Sequence, residues 1–281
     1  MRSEGDAGSD ACAQLSRRAV GDVVWHEDAE LRERSGIVVA FSERTGGVSV
    51  PPYASLDLAA HTGDSPRVVD ENRQRFLSAL GLSEHREHLT CAEQVHGTEV
   101  GVVGAALAGS GGYATRGRPP VSGVDALATT LEGVPLMLLF ADCVPVVLVA
   151  ERSRSVAVAH AGWRGLLGGV VSRAVEALRG LAEPGEEISA YVGPHIGPCC
   201  YEVGEDLVSQ FAHKFVTIRR ASATLDLRAA VTEELASSGV PEERQCHLGI
   251  CTAHNTDRFY SYRAEGRTGR HAALVCVLPR S

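Results

Sequence analysis

The hydrophobic pattern divides this chain into short strands and amphipathic helices. Residues 37–41 form a β-branched run that predicts a strand. A helix opens at Ser65-Pro66, where Ser65 can cap, Pro66 suits the first helical position and Gly81 supplies the stop. Val69, Arg73, Phe76 and Leu80 recur along it at helical spacing, which sets Arg73 beside the apolar face. Residues 99–103, 124–130 and 134–140 predict strands, the last two joined by a turn at Glu132-Gly133. One helix is expected over 166–181, from the spacing of Leu167, Val170, Val171, Ala174, Val175 and Leu178, with Gly180 as its stop. Residues 188–192 predict a strand, 205–215 and 228–238 helices, and 247–250, 258–262 and 272–278 closing strands. The elements mix without the regular alternation of a doubly wound sheet or a barrel.

Two of these runs end in reactive side chains. Residues 134–140 lead into Ala141-Asp142-Cys143, and residues 155–159 lead into His160 and a Gly-rich turn. A buried free thiol beside an ordinary turn histidine is the plain reading. His96, in Gln94-Val95-His96-Gly97, adds a third side chain of the same kind, 47 positions before Cys143; His160 follows 17 positions after it. These gaps are not those of a zinc finger, so a metal here would be assembled by the fold. Two histidines and one cysteine suit zinc or copper, and three protein ligands leave a fourth position open, as in catalytic zinc sites. Cys143 with His160 equally suits a thiolate nucleophile and its base. The two readings compete for the same atoms. Asp142, pointing opposite to Cys143 in an extended segment, reads as structural or as a turn residue.

Composition narrows the classes. A net charge of −8 and a pI near 5.8 argue against a nucleic-acid polymer or an anionic membrane as partner, but not against a small phosphorylated ligand. The apolar window 134–150 is too short for a membrane span and is interrupted by Asp142 and Pro145; two buried strands with a turn between them fit it better. No secretory signal accompanies the eight cysteines, so reduced thiols and a cytoplasmic location are expected. Residues 1–20 read as a mobile tail, and 109–120, rich in Gly with Arg116 and Arg118, as a mobile loop. The His85-Arg86-Glu87 triplet resembles the start of a nucleobase deaminase motif. Pro198-Cys199-Cys200, however, lacks the second cysteine at the spacing such enzymes use. Adjacent Cys199 and Cys200 would form a strained disulfide, and two thiols in a tight loop are expected instead.

Several separated words, in order, resemble the YfiH/YlmD family, also called the laccase-like or polyphenol oxidase family, whose members include a bacterial peptidoglycan editing factor. They are Asn72-Arg73, Gln94-Val95-His96-Gly97, Ala141-Asp142-Cys143-Val144-Pro145, Ala159-His160-Ala161-Gly162-Trp163-Arg164-Gly165, and the run from Gly193 to Gly204 containing Pro198-Cys199-Cys200-Tyr201-Glu202-Val203. The resemblance implies an α+β fold, with two β-sheets sandwiched between helices in a single compact domain spanning 21–281. It implies zinc on His96, Cys143 and His160, with copper as the alternative. The implied activity is phosphorolysis of adenosine, inosine, guanosine and S-methyl-5′-thioadenosine, plus hydrolytic deamination of adenosine. Purine nucleosides and phosphate would then be the partners, and a monomer is expected. His61 and Arg73 are implied to line the pocket, and Arg164 is a second phosphate candidate. Alternatives are a copper polyphenol oxidase and a Cys-His hydrolase acting on peptidoglycan precursors. Ala59-Ala60-His61-Thr62 and His195 depart from the usual family residues, which puts pocket contacts there in question.

Overall fold

The computed structural model describes residues 14–218 and 223–280. Its twelve strands are β1 (Ser16–Val20), β2 (Val23–Glu27), β3 (Ile37–Ser42), β4 (Thr90–Cys91), β5 (Val100–Val102), β6 (Ala126–Thr129), β7 (Leu136–Phe140), β8 (Val144–Ala150), β9 (Ser155–Ala161), β10 (Ser189–Val192), β11 (Gln245–His247) and β12 (His271–Val277). They pair into two six-stranded sheets, ordered β1-β2-β3-β12-β7-β4 and β11-β10-β8-β9-β6-β5.

Successive side chains on a strand point to opposite faces, and here both faces are apolar. On β12, Ala273, Val275 and Val277 face the second sheet, while Ala272, Leu274 and Cys276 face outward. The outward residues pack with Phe76 and Leu77 of the helix Pro66–Ala79. On β8, Val147 and Val149 enter the layer between the sheets; Val146 and Leu148 turn the other way. There they meet the helices Val170–Leu181, Glu205–Lys214 and Leu227–Ser237. Two sheets sandwiched between helices follow, as expected. Residues that must fill two apolar layers cannot alternate with polar ones, which is why β7, β8 and β9 read as unbroken apolar runs.

The expected turn between residues 134–140 and the next apolar run is in fact a passage between sheets. β7 lies in the first sheet and β8 in the second, with Cys143 on the crossing. The helix expected over 166–181 is two helices, Trp163–Gly168 and Val170–Leu181, because Gly169 adopts φ 91° between them. The second carries on through Gly180, the expected stop, to Leu181. Residues 258–262 form no strand. Arg258 and Phe259 both donate their N–H to the Asn255 carbonyl, in a turn, and Ser261 then caps a short helix, Tyr262–Glu265. The apolar pair Phe259-Tyr260 is buried, which explains the strand-like pattern without a strand. The strand expected over 247–250 is met only at residue 247: β11 runs Gln245–His247, and 248–250 form no strand.

The tail expected over 1–20 divides. Residues 1–13 lie outside the described residues, whereas Ser16–Val20 is β1, paired with β2. The loop over 109–120 is tied down rather than free: Ala114 N–H, Thr115 N–H and Thr115 Oγ1 all donate to the Asp70 carboxylate. Arg86 reaches the Gly112 carbonyl at 2.6 Å and lies over the Tyr113 ring. Among the described residues no helix is long and apolar enough to cross a membrane, and no disulfide forms.

Candidate metal centre

Strand alternation places the first of the three expected ligands. On β9, Ala157, Ala159 and Ala161 pack toward the helices, so His160 projects into the layer between the sheets. It is 4% exposed. Cys143, on the crossing from β7 to β8, packs at the edge of the same layer and is half-buried. His96 comes from the loop before β5 and is exposed. The ligand atoms of His96, Cys143 and His160 lie within 4.8 Å of one another. The two imidazole rings meet edge to face with centroids 4.8 Å apart.

One carboxylate organises this trio. Asp125, wholly buried, accepts the N–H groups of Val95 at 3.1 Å, His96 at 2.9 Å and Gly97 at 2.6 Å. It also contacts His160 Nδ1 at 2.8 Å, and its backbone carbonyl accepts the His160 N–H. His96 itself has φ 60°, a left-handed conformation uncommon for a residue with a Cβ. Three converging amides hold it there. With Nδ1 of His160 engaged by Asp125, Nε2 is left to face Cys143, the orienting arrangement typical of metal-bound histidines. Gly162 completes the cradle: a Cβ there would stand 3.0 Å from Cys143 Sγ and 3.1 Å from His96 Cδ2.

The electrostatics favour the thiolate. Burial alone raises the Cys143 thiol, but His160 and His96 outweigh it and bring its pKa down to about 6. Burial alone lowers His160, but Cys143 and Asp125 outweigh it and lift its pKa to about 9. A deprotonated sulfur beside two imidazoles is a donor set that fits a borderline-soft divalent ion. The set also has the order of a Cys-His-Asp nucleophile triad.

A cavity of about 960 Å3 opens from this centre, within the range of small-molecule sites. His61, Arg73 and Arg270 line it together with His96, Cys143 and His160. Arg73 is buried, and its Nε and Nη1 donate to the carbonyls of Leu58, Gly111 and Gly112 at 2.8–3.0 Å. Nη2 has no such bond among the described residues. Partial burial, then Arg270 and Arg73, hold His61 below its ordinary pKa. Burial likewise lowers Arg270, against the opposing pull of Asp57, Asp142 and Cys143.

Arg164 is exposed; its guanidinium lies 4.4 Å above the Trp163 ring and does not line this cavity. His195 is buried, bonded through Nδ1 to the Gly193 carbonyl, and stands outside the cavity wall. Asp142 is structural, accepting from Thr252 Oγ1 at 2.6 Å and from the Arg263 N–H at 2.8 Å. The motifs missed Asp125 and Arg270. A lone acid amid the apolar residues Val124, Ala126 and Leu127 was the available signal for Asp125, since a buried carboxylate requires partners.

The chain is similar over most of its length to known proteins. Residues 38–278 match the family described as "Multi-copper polyphenol oxidoreductase laccase". A purine nucleoside phosphorylase of Xylella fastidiosa is 37% identical over 264 residues, 90% of this chain and 97% of that protein. The purine nucleoside phosphorylase YfiH of Escherichia coli is 35% identical, over 86% of this chain and 95% of that protein. The crystal structure of YlmD from Geobacillus stearothermophilus superposes with a TM-score of 0.85 at 32% identity, covering 95% of this chain and all of that one. On its fold, its ordered motifs and these relatives, the chain belongs to the YfiH/YlmD, laccase-like family.

Proposed function

We propose that this protein is a zinc-dependent purine nucleoside enzyme. Its reactions are phosphorolysis of adenosine, inosine, guanosine and S-methyl-5′-thioadenosine, and hydrolytic deamination of adenosine. One observation carries the reading: the donor trio His96, Cys143 and His160 opens onto the same cavity as His61, Arg73 and Arg270. The relatives' name, purine nucleoside phosphorylase, supports the choice of substrates.

In phosphorolysis a phosphate oxygen forms a bond to the anomeric carbon while the bond to the purine nitrogen breaks. The chain must therefore hold a dianion against a neutral sugar. Arg73 and Arg270 supply fixed positive charge, and Arg73 is pre-organised, since two of its nitrogens are already anchored to backbone carbonyls. His61, kept below its ordinary pKa, is a neutral ring at pH 7 that can donate to or accept from phosphate. Asp125 sets the tautomer of His160 and fixes the backbone that presents His96. A zinc ion on His96, Cys143 and His160 supplies Lewis acidity at this wall of the cavity. Zinc is preferred to copper because a multicopper oxidase needs further histidine-rich centres. The second donor cluster among the described residues is instead dominated by cysteine.

Chromatography of adenosine incubated with the protein, with and without phosphate, tests the reading. Adenine that appears only with phosphate supports phosphorolysis, and inosine supports deamination. Neither product from metal-replete protein overturns it, as does stoichiometric copper with negligible zinc after purification without added copper. The Asp125–His160–Cys143 alignment favours a second reading, a cysteine hydrolase. A Cys143→Ser variant that keeps its zinc but loses all activity would select that reading.

A further inference from the structure

Three cysteines and a histidine outside the cavity are brought together by two loops. Cys199 and Cys200 follow Gly197-Pro198 in the loop after β10. Cys251 and His254 lie in the turn after β11, at the spacing Cys-x-x-His. The four ligand atoms lie within 4.8 Å of one another. Cys199 Sγ is 3.5 Å from His254 Nδ1. In a tetrahedral zinc site, bond lengths of about 2.3 Å to sulfur and about 2.0 Å to nitrogen put sulfur and nitrogen about 3.5 Å apart and two sulfurs about 3.8 Å apart. The cluster needs little contraction to reach that geometry.

The backbone is built around the sulfurs. Cys251 Sγ accepts the Gly197 N–H at 3.2 Å, and the N–H groups of Ala253 and His254 also point to it. Amides two and three residues ahead of a sulfur, aimed back at it, stabilise negative charge there. Gly197 keeps the space between sulfurs clear: a Cβ there would stand 3.2 Å from Cys199 Sγ and 3.6 Å from Cys251 Sγ. The two loops are also joined by backbone bonds, His195 N–H to the Ile250 carbonyl and Thr252 N–H to the His195 carbonyl. A disulfide uses only two sulfurs, and leaves a third thiol and the imidazole without a role.

We propose that Cys199, Cys200, Cys251 and His254 form a second metal site, a closed Cys3His zinc centre of structural type. Four protein donors leave no position for substrate. Binding releases the thiol protons to solvent and changes no oxidation state. The site has a consequence for the first centre. Ile196 N–H donates to the Asp142 carbonyl at 3.1 Å, and Thr252 Oγ1 donates to the Asp142 carboxylate. Each of these residues sits on a loop that the metal would staple. Asp142 precedes Cys143, so the staple steadies the crossing that carries the first centre's thiolate.

Metal analysis of the intact chain, purified without added metal or chelator, tests this. Two zinc ions per chain are expected in the unsubstituted protein, one in His96→Ala, and one in Cys251→Ser. Cobalt loaded into His96→Ala should give a tetrahedral spectrum with thiolate charge-transfer intensity, which the additional substitution Cys251→Ser removes. The readouts for the two centres separate: zinc that survives His96→Ala belongs to the cysteine cluster, and zinc that survives Cys251→Ser to the cavity. If Cys251→Ser does not fold, the His96→Ala count alone decides. A His96→Ala chain that retains no metal and binds no cobalt overturns the proposal. So does native mass spectrometry showing a disulfide among the three cysteines in place of metal.

Discussion

At the scale of single residues, Asp125 carries more of the site than any ligand. Four groups converge on its side chain: three backbone N–H groups and His160 Nδ1. An asparagine has the same shape but offers one acceptor oxygen and an NH2 that must face donors. Asp125→Asn should therefore weaken metal binding at His96, Cys143 and His160 by about tenfold to a hundredfold, the usual cost of losing an orienting carboxylate. Competition with a chromogenic zinc chelator measures it, on protein whose far-UV spectrum is unchanged; an unaltered affinity would refute the role. The residue scale is also where the sequence was most and least informative. His96, Cys143 and His160 were legible because each sits in a distinctive word at a strand end or loop. Asp125 and Arg270 were not. Their importance lies in what they face across the fold, and neighbours in the chain carry no trace of that. Arg164 shows the converse: a good motif position whose side chain stacks on Trp163 at the surface.

At the scale of elements, two glycines on one helical stretch should respond oppositely to the same change. Gly169 divides the stretch, with φ 91°, and a Cβ there would find nothing closer than 3.7 Å. Its requirement is thus conformational, and Gly169→Ala should destabilise by about 1–2 kcal/mol, the cost of a left-handed alanine. Gly180 lies inside the helix Val170–Leu181, exposed, with open space where a Cβ would stand. Gly180→Ala should stabilise by about 0.5–1 kcal/mol. Urea unfolding midpoints decide between these signs, and equal shifts in one direction would sink the argument. The same pair explains what periodicity could reach. Apolar spacing continues through residue 169, because both helices bury one face against the second sheet, so the break leaves no mark in the pattern. Likewise β7 and β8 read as neighbours, although they belong to different sheets. A residue buried on both faces looks the same whichever sheet holds it.

At the scale of the whole molecule, the first and last parts of the described chain close on one buried carboxylate. Glu43, just after β3, has a fully buried side chain. Arg17 of β1 meets it with two bonds of 2.8 and 3.0 Å, Arg258 with two of 2.6 and 3.1 Å, and His26 of β2 at 3.1 Å. Burial raises the Glu43 carboxyl, but His26, Arg17 and Arg258 outweigh it and hold it well below the ordinary carboxylate range. The direction fixes the pH dependence. A carboxylate with a depressed folded-state pKa contributes stability that is complete above the unfolded value, about 4.3, and is lost as pH falls toward the folded value. The unfolding free energy should therefore be flat in this contribution across about pH 6–8 and should decline below about pH 5. Glu43→Gln should lower stability near neutrality and flatten the acid decline, because the variant has no proton to take up there. Urea titrations of both proteins across acid and neutral pH supply the comparison. Parallel stability curves would mean that other carboxylates dominate acid unfolding. A flattened curve would place the pH sensitivity at the junction of β1, β2 and the Arg258 turn, away from His96, Cys143 and His160, and so separate acid loss of the fold from acid loss of the thiolate at Cys143.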